Sequence, residues 1–473
     1  MKPVRPFAAA LGVLACFASS AALAQALTPA QTAAIDRIVT STLADTGVPS
    51  ASIAVVQGGR IVYAKAYGKQ SDVIPVARTD VPYQIASISK QFTAAAILLL
   101  QDQGKLGLDD TVSKYVPGIT DGDKITIRQL LSHTSGLQDY WPQDYSFAAM
   151  EHPVTPQQIV DRWAKKPLDF QPGTQWQYSN TGYVVAGMIV EKASGMKLLD
   201  FLDKYIFQPL DMHPINQDLA IGRGFPTPYQ RFALGPVRPE KPAAPGWLFA
   251  AGELAMTPSD LAKWDIARID RAVLSAADWQ AQETPVKLTD GKDTGYGLGV
   301  EVGTTKVGNV PYVEHNGEAV GFLSENVVYP QQKDAVVVLT NSDFSNAVFT
   351  MTKGISGVIL PQLAAAPDAA ETAHTAAARK LFDQLRTGHL DRALLTDDAN
   401  YYFTPTALGD YQSSLSKLGQ PTSFEPTGGP RLRGGFVNRN YKVTYPDETL
   451  EIVTYAEPGA DGRYEQFLVM PAS

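Results

Sequence analysis

Three short stretches carry side chains that could act together on a substrate. The first is "QIASISKQF", residues 84–92, with Ser87 and Lys90 three positions apart. In a helix that spacing puts the hydroxyl and the amine on one face. A serine hydroxyl becomes a useful nucleophile when a neighbouring base takes its proton. Lys90 opens a run that is almost wholly apolar up to Leu100, so it heads for a core. Burial favours the neutral form of a lysine, which is a base. The start of that helix also favours developing negative charge. Two further Ser-x-x-Lys spacings, Ser194 with Lys197 and Ser414 with Lys417, sit beside polar or Gly-rich chain. Placement singles out Ser87, whose plain alternative use is a helix N-cap.

The second stretch is "WQYSNTGY", where Tyr178 and Asn180 stand at a loop-to-helix junction. Either they point into a cleft beside Ser87, or Asn180 caps the helix and Tyr178 is a buried aromatic with one hydrogen bond. The third is "VEHNGEAVGF", with His315, Gly317 and Glu318 on an expected strand. A glycine inside a strand permits close approach of a ligand to the backbone. His133 in "LLSHTSGL" reads as a structural histidine pinning a turn.

These residues must be brought together by strands and helices far apart in the chain. "ASIAVVQGGRIVYAKAYG" reads as two strands joined at Gly58-Gly59. A mainly helical middle follows, then Pro-rich chain over 209–247, then a helix in "TPSDLAKWDIARI". From Tyr296 to Asp343 the pattern returns to strands: "YGLGVEVG", "PYVEHNG", "GFLSENVVYP" and "DAVVVLTN". The expected fold is an α/β sandwich, one antiparallel sheet built from both ends of the domain with a helical insertion.

Length and composition set bounds. The chain has 473 residues, 44% hydrophobic, with a formal net charge of −8. That suits two domains. No basic stretch suggests nucleic acid as a partner. Residues 1–24 have Lys2 and Arg5, an apolar run and Ala22-Leu23-Ala24, the layout of a secretory signal peptide. Its removal takes away the single cysteine, Cys16, so disulfides and Cys–metal chemistry are not expected. Lipoprotein processing at Cys16 is the alternative. A periplasmic or secreted protein follows, with no membrane span after signal removal. No His-Glu-x-x-His or clustered His/Asp spacing suggests a metal site, and no cofactor is expected.

Ser-x-x-Lys, then Tyr-x-Asn, then a strand with His-x-Gly, in that order, resembles the penicillin-recognising serine hydrolases. "ITIRQLLSHTSGLQDY" and "GELAMTPSDLAKW" look like connecting segments of the same group. The similarity covers roughly residues 30–360. It lies nearest the branch with class C β-lactamases, D,D-carboxypeptidases, D-aminopeptidases and related esterases. The resemblance implies Ser87 as nucleophile, with Lys90 and Tyr178 sharing the base role. It implies Asn180 as a partner of Lys90 or of a substrate amide, and the backbone N–H groups of Ser87 and Glu318 as the oxyanion hole. Tyr140 would line the cleft, with Trp141 and Tyr145 after it. Many relatives carry Lys-Thr-Gly at the third motif, where the cation grips a carboxylate. Here stands His315, mostly neutral at pH 7 if unperturbed. The expected substrates are therefore carboxylic esters or D-amino-acid amides and peptides. β-Lactamase or D,D-carboxypeptidase activity is the alternative, and a non-catalytic binding protein on the same fold is the alternative of another class.

The serine hydrolase domain is expected over 25–362 and a linker over 363–372, where Ala and Pro rise. A second domain is expected over 373–473. Its opening helix "AAARKLFDQLRTG" stops at Gly388, and an antiparallel meander follows. This pattern resembles the cystatin-like, ketosteroid-isomerase-like α+β folds. A lipocalin-like barrel is the alternative and needs about eight strands. The tail is expected to be accessory: a substrate-access cover or a surface for homo-oligomer assembly.

Overall fold

The structure is a computed structural model that describes residues 26–143, 146–233, 235–363, 369–427 and 429–471. The signal-like stretch and Tyr145 lie outside the described residues. The chain divides into two compact units, Met1–Ala364 and Ala365–Ser473.

The first unit is built on a six-stranded antiparallel sheet. Its strands are β1 (Ser50–Gln57), β2 (Arg60–Gly68), β3 (Glu301–Thr304), β4 (Pro311–Ala319), β5 (Phe322–Tyr329) and β6 (Asp334–Thr340), in the order β2-β1-β6-β5-β4-β3. The N-terminal hairpin and the C-terminal meander meet where β1 pairs with β6, Ala54 opposite Val337. The expectation of one sheet made from both ends holds. "YGLGVEVG" forms a strand only over Glu301–Thr304, because Gly295 and Gly299 turn the preceding chain with positive φ.

Both faces of β1 are covered, which explains its unbroken apolar run. Ile53 and Val55 pack with Ile35 of helix α1 (Pro29–Thr46) and with Met351 and Ile355 of a C-terminal helix, Ala347–Ile359. Ala54 and Val56 face the larger core, which holds Phe92, Leu98 and Trp264. Phe92 and Leu98 belong to helix α2 (Lys90–Asp102), Trp264 to a helix over Pro258–Asp270. A buried polar lattice joins these two helices. Gln91 Oε1 accepts from Trp264 Nε1 at 3.0 Å and from Arg268 at 2.9 Å, and Arg268 pairs with Glu283 at 3.0 Å. Arg268 is fully buried, and a paired buried guanidinium is costly to strand by removing a partner. α2 is thereby fixed at the middle of the domain.

The second unit has a helix over Ala369–Thr387, two shorter helices and a five-stranded antiparallel sheet. Leu381, Phe382 and Leu385 form the expected buried stripe. The helix begins at Ala369, inside the stretch expected as linker. Five strands among the described residues fall short of a lipocalin-like barrel.

Candidate active site

Ser87 does not cap α2. It sits in a 3₁₀ turn, Ala86–Ser89, that leads into the helix. The turn is tense at its first residue, because Ala86 has φ 46°, a region that favours glycine. Gly252 packs against it, where an added methyl group would meet the Ala86 carbonyl carbon at 3.3 Å. The turn presents Ser87 to a cleft of about 480 Å³ and keeps Lys90 beneath it.

Lys90 is fully buried, and its Nζ meets three oxygens: Ser87 Oγ at 2.8 Å, Asn180 Oδ1 at 2.8 Å and the Ala251 carbonyl at 2.7 Å. A neutral amine has two N–H donors and one lone pair. The amide and peptide oxygens can only accept, so they take the two donors. The lone pair then faces the Ser87 hydroxyl. Burial pulls the Lys90 pKa down to about 7, and the nearby Asp139 carboxylate opposes the fall.

The second motif arrives on helix α3 (Asn180–Ser194). Its cap is Ser179, whose Oγ accepts the Gly182 N–H at 3.2 Å. Asn180 is therefore released from capping, contrary to its plain sequence reading, and its amide reaches Lys90. The Tyr178 ring lies 4.9 Å from Lys90 Nζ. Burial raises the Tyr178 phenol well above its ordinary range, and a hydrogen bond with Ser87 opposes the rise. Tyr178 is thus a neutral phenol at pH 7.

Asp139, a residue not singled out in the sequence, completes this cluster. Its carboxylate accepts the Asn180 N–H at 3.1 Å and the Asn180 Nδ2 at 3.2 Å. That contact decides which end of the amide faces Lys90. Burial raises Asp139 to about 6.

The third motif differs most from expectation. His315 is 2% exposed and does not line the cleft. Both ring nitrogens are engaged by protein. A single chain of hydrogen bonds fixes its tautomer. The Ser179 N–H donates to His133 Nδ1 at 3.1 Å, so His133 carries its proton on Nε2. That N–H donates to the Tyr296 hydroxyl at 3.2 Å. Tyr296 donates to His315 Nε2 at 2.8 Å, and His315 Nδ1–H donates to the Asn316 carbonyl at 2.5 Å. Burial, reinforced by Lys90, lowers the His315 pKa to about 3. The expected substrate-binding role of the His315 side chain is corrected: the ring is a neutral strut behind the cleft.

Gly317 also acts differently. A methyl group there would lie 2.1 Å from the Ile85 carbonyl oxygen and 2.4 Å from Ser324 Oγ. The close approach is by the nucleophile turn itself, and Ser324 Oγ donates to that same Ile85 oxygen at 2.9 Å. Strand β4 is thus seated against the turn, with Glu318 lining the cleft beside Ser87. Tyr140 is corrected as well. It is 2% exposed, its hydroxyl donates to the Trp247 carbonyl, and its neighbour Trp141 lines the cleft instead.

The cleft is acidic. Asp139, Glu240, Glu301, Glu318 and Asp343 line it, and no Lys, Arg or His does among the described residues. Burial and the neighbouring Asp343 push Glu240 up to about 8.

The family described as Beta-lactamase matches residues 35–354 of the chain. Penicillin-binding protein 4* of Bacillus subtilis (strain 168) is 31% identical over 313 residues, 62% of this chain and 68% of that protein. The fold is shared with a D-stereospecific amidohydrolase from Streptomyces sp., at 28% identity and a TM-score of 0.60, over 70% of this chain and 98% of that one. An octameric penicillin-binding protein homologue from Pyrococcus abyssi spans 93% of this chain and 99% of its own at 20% identity, with a TM-score of 0.62. With a hydroxyl, a buried amine and a phenol gathered at one turn, and the match running across them, the chain belongs to the Beta-lactamase family of serine hydrolases.

Proposed function

We propose that the chain forms an acyl-enzyme on Ser87 and acts on D-amino-acid amides or esters that keep a free ammonium group. The observation that carries this reading is the 2.8 Å approach of Lys90 Nζ to Ser87 Oγ, with the other two contacts of the amine on oxygens that only accept. Ser87 Oγ attacks the substrate carbonyl carbon, and its proton passes to the Lys90 lone pair. The oxyanion is held by the backbone N–H groups of Ser87 and Glu318, a contribution of about 3 kcal/mol per donor. The carbonyl–nitrogen or carbonyl–oxygen bond then breaks. The leaving group takes a proton from the Tyr178 hydroxyl, which Lys90 restores. Water attacks the acyl-enzyme by the same route in reverse.

The acidic lining supports the substrate class. Asp139, Glu301, Glu318 and Asp343 attract an ammonium and repel a carboxylate, while Glu240 beside Asp343 keeps its proton at pH 7. With His315 neutral and enclosed, the third motif offers no side-chain cation to a substrate carboxylate. The D configuration rests on the likeness to the Streptomyces amidohydrolase. The signal-like pattern of residues 1–24 supports a periplasmic or secreted enzyme.

The test is a hydrolysis panel: D-alaninamide, N-acetyl-D-alaninamide, nitrophenyl acetate and nitrocefin, each with and without Ser87→Ala. D-Alaninamide is expected to be turned over best and N-acetylation to abolish the preference. Equal rates for the acetylated amide, faster nitrocefin turnover, or activity surviving Ser87→Ala would each overturn the reading.

A further inference from the structure

A second cavity lies in the first unit, away from Ser87. Strands β4 and β5 and the helix over Ala347–Ile359 contribute to its walls, and it has a volume of about 510 Å³. That is within the usual range for small-molecule sites, roughly 300–1,000 Å³. None of its lining residues lines the catalytic cleft. Val307, Val327, Tyr329 and Phe349 give it apolar walls.

Its polar groups are unusual. Glu325 is 4% exposed, and its Oε2 is buried with no hydrogen-bond partner. Thr352 Oγ1 and Ser356 Oγ, which also line the cavity, are likewise buried without a partner. A buried carboxyl oxygen without a partner is costly, more so if charged. Glu314 lines the same cavity and lies opposite Val327 in the β4–β5 register. The two lysines of the lining, Lys306 and Lys353, are exposed and belong to its mouth. The enclosed end therefore offers acceptor oxygens and two carboxyl groups, and the walls offer hydrocarbon.

We propose that this cavity binds a primary ammonium ion carrying a hydrocarbon tail, with the ammonium on Glu325 and Thr352 and the tail against Val327, Tyr329 and Phe349. An ammonium has three donors for the three unpartnered oxygens, with Glu314 beside them. It also supplies the charge that lets a buried carboxyl ionise. A carboxylate ligand would bring like charge to Glu325 and Glu314, and a plain alcohol would bring one donor and no charge.

The test is calorimetric titration of the full chain with Ser87 first blocked by a fluorophosphonate. The probes are hexylammonium chloride, hexanol and sodium hexanoate. Hexylammonium is expected to bind saturably, with a dissociation constant on the order of 1 mM for so small a ligand. Hexanol and hexanoate are expected to bind at least about tenfold more weakly, and Glu325→Gln to weaken hexylammonium by about the same factor. Phe349→Ala, at a partly exposed position, trims the wall and is expected to weaken hexylammonium too. That variant decides the matter should Glu325→Gln fail to fold. Equal binding of hexanol, or hexylammonium affinity unchanged in both folded variants, overturns the proposal.

Discussion

Asp139 grips Asn180 twice, through the backbone N–H at 3.1 Å and through the side-chain Nδ2 at 3.2 Å. One carboxylate thereby anchors the start of α3 and orients the amide that receives a proton of Lys90. It also holds negative charge near the lysine, which opposes the lowering of the Lys90 pKa.

Asp139→Asn turns one of these contacts into a clash of donors, since the new amide cannot accept from both groups of Asn180 through one oxygen. A misplaced catalytic group typically costs tenfold to a hundredfold, so kcat/KM is expected to fall by about that much. The acid limb of the pH profile gives a separate readout. In the native protein, activity is expected to rise as Lys90 loses its proton at about pH 7. Without the Asp139 charge the lysine pKa falls further, and the limb moves to lower pH. A limb that stays in place, or moves up, would contradict the assignment of Lys90 as the base.

Gly317→Ala tests the seating of β4 on the nucleophile turn. The new methyl group would stand 2.1 Å from the Ile85 carbonyl oxygen, which is backbone and cannot swing away. Overpacking of this kind costs about 1–3 kcal/mol, so a drop in thermal stability is expected. The oxyanion site proposed next to Gly317 would shift with the strand, and activity is expected to fall more steeply than stability. Full activity in a folded Gly317→Ala protein would separate the strand from the site.

Glu253 gives a test by pH. It is 7% exposed, and its Oε1 lacks a partner. Burial, with Asp218 and Glu191 nearby, raises its pKa from 4.5 to about 8. The folded state therefore holds a proton that the unfolded state loses above about pH 4.5. Its contribution to stability is complete below that pH and is lost as the pH rises toward 8. Glu253→Gln imitates the protonated form. The variant is expected to match the native protein near pH 4 and to exceed it at pH 8 by on the order of 3–5 kcal/mol. Melting curves at the two pH values check this, and a variant less stable at pH 8 would refute it.

Much of this site was legible in the sequence, for physical reasons. Ser87 and Lys90 are three residues apart, and one helical turn, here the 3₁₀ turn that leads into α2, sets their contact. The long apolar run after Lys90 announced its burial. His315 misled because a strand residue points to one of two faces and the register decides which. His315 and Gly317 share the face turned to the Ser87 turn, and the residues that line the cleft from this strand are Asn316, Glu318 and, at its end, Ala319. Tyr140 and Trp141 exchanged roles for a similar reason. In an irregular loop no period says which of two adjacent aromatics turns inward. Asp139 left no signal, since a loop carboxylate is ordinary until its partner, 41 residues later in the chain, is placed beside it.

The reacting groups form an almost uncharged island. The amine of Lys90 has a pKa of about 7, Tyr178 keeps its proton and the His315 imidazole is neutral. The rim around them is strongly acidic. Dissolved salt screens charges that face water and hardly touches those sealed from it. Ionic strength should therefore act on the doorway and spare the chemistry. Raising sodium chloride is expected to increase KM for an ammonium substrate while kcat stays level, so that the enzyme works at its saturated rate in brine but must wait longer for each guest.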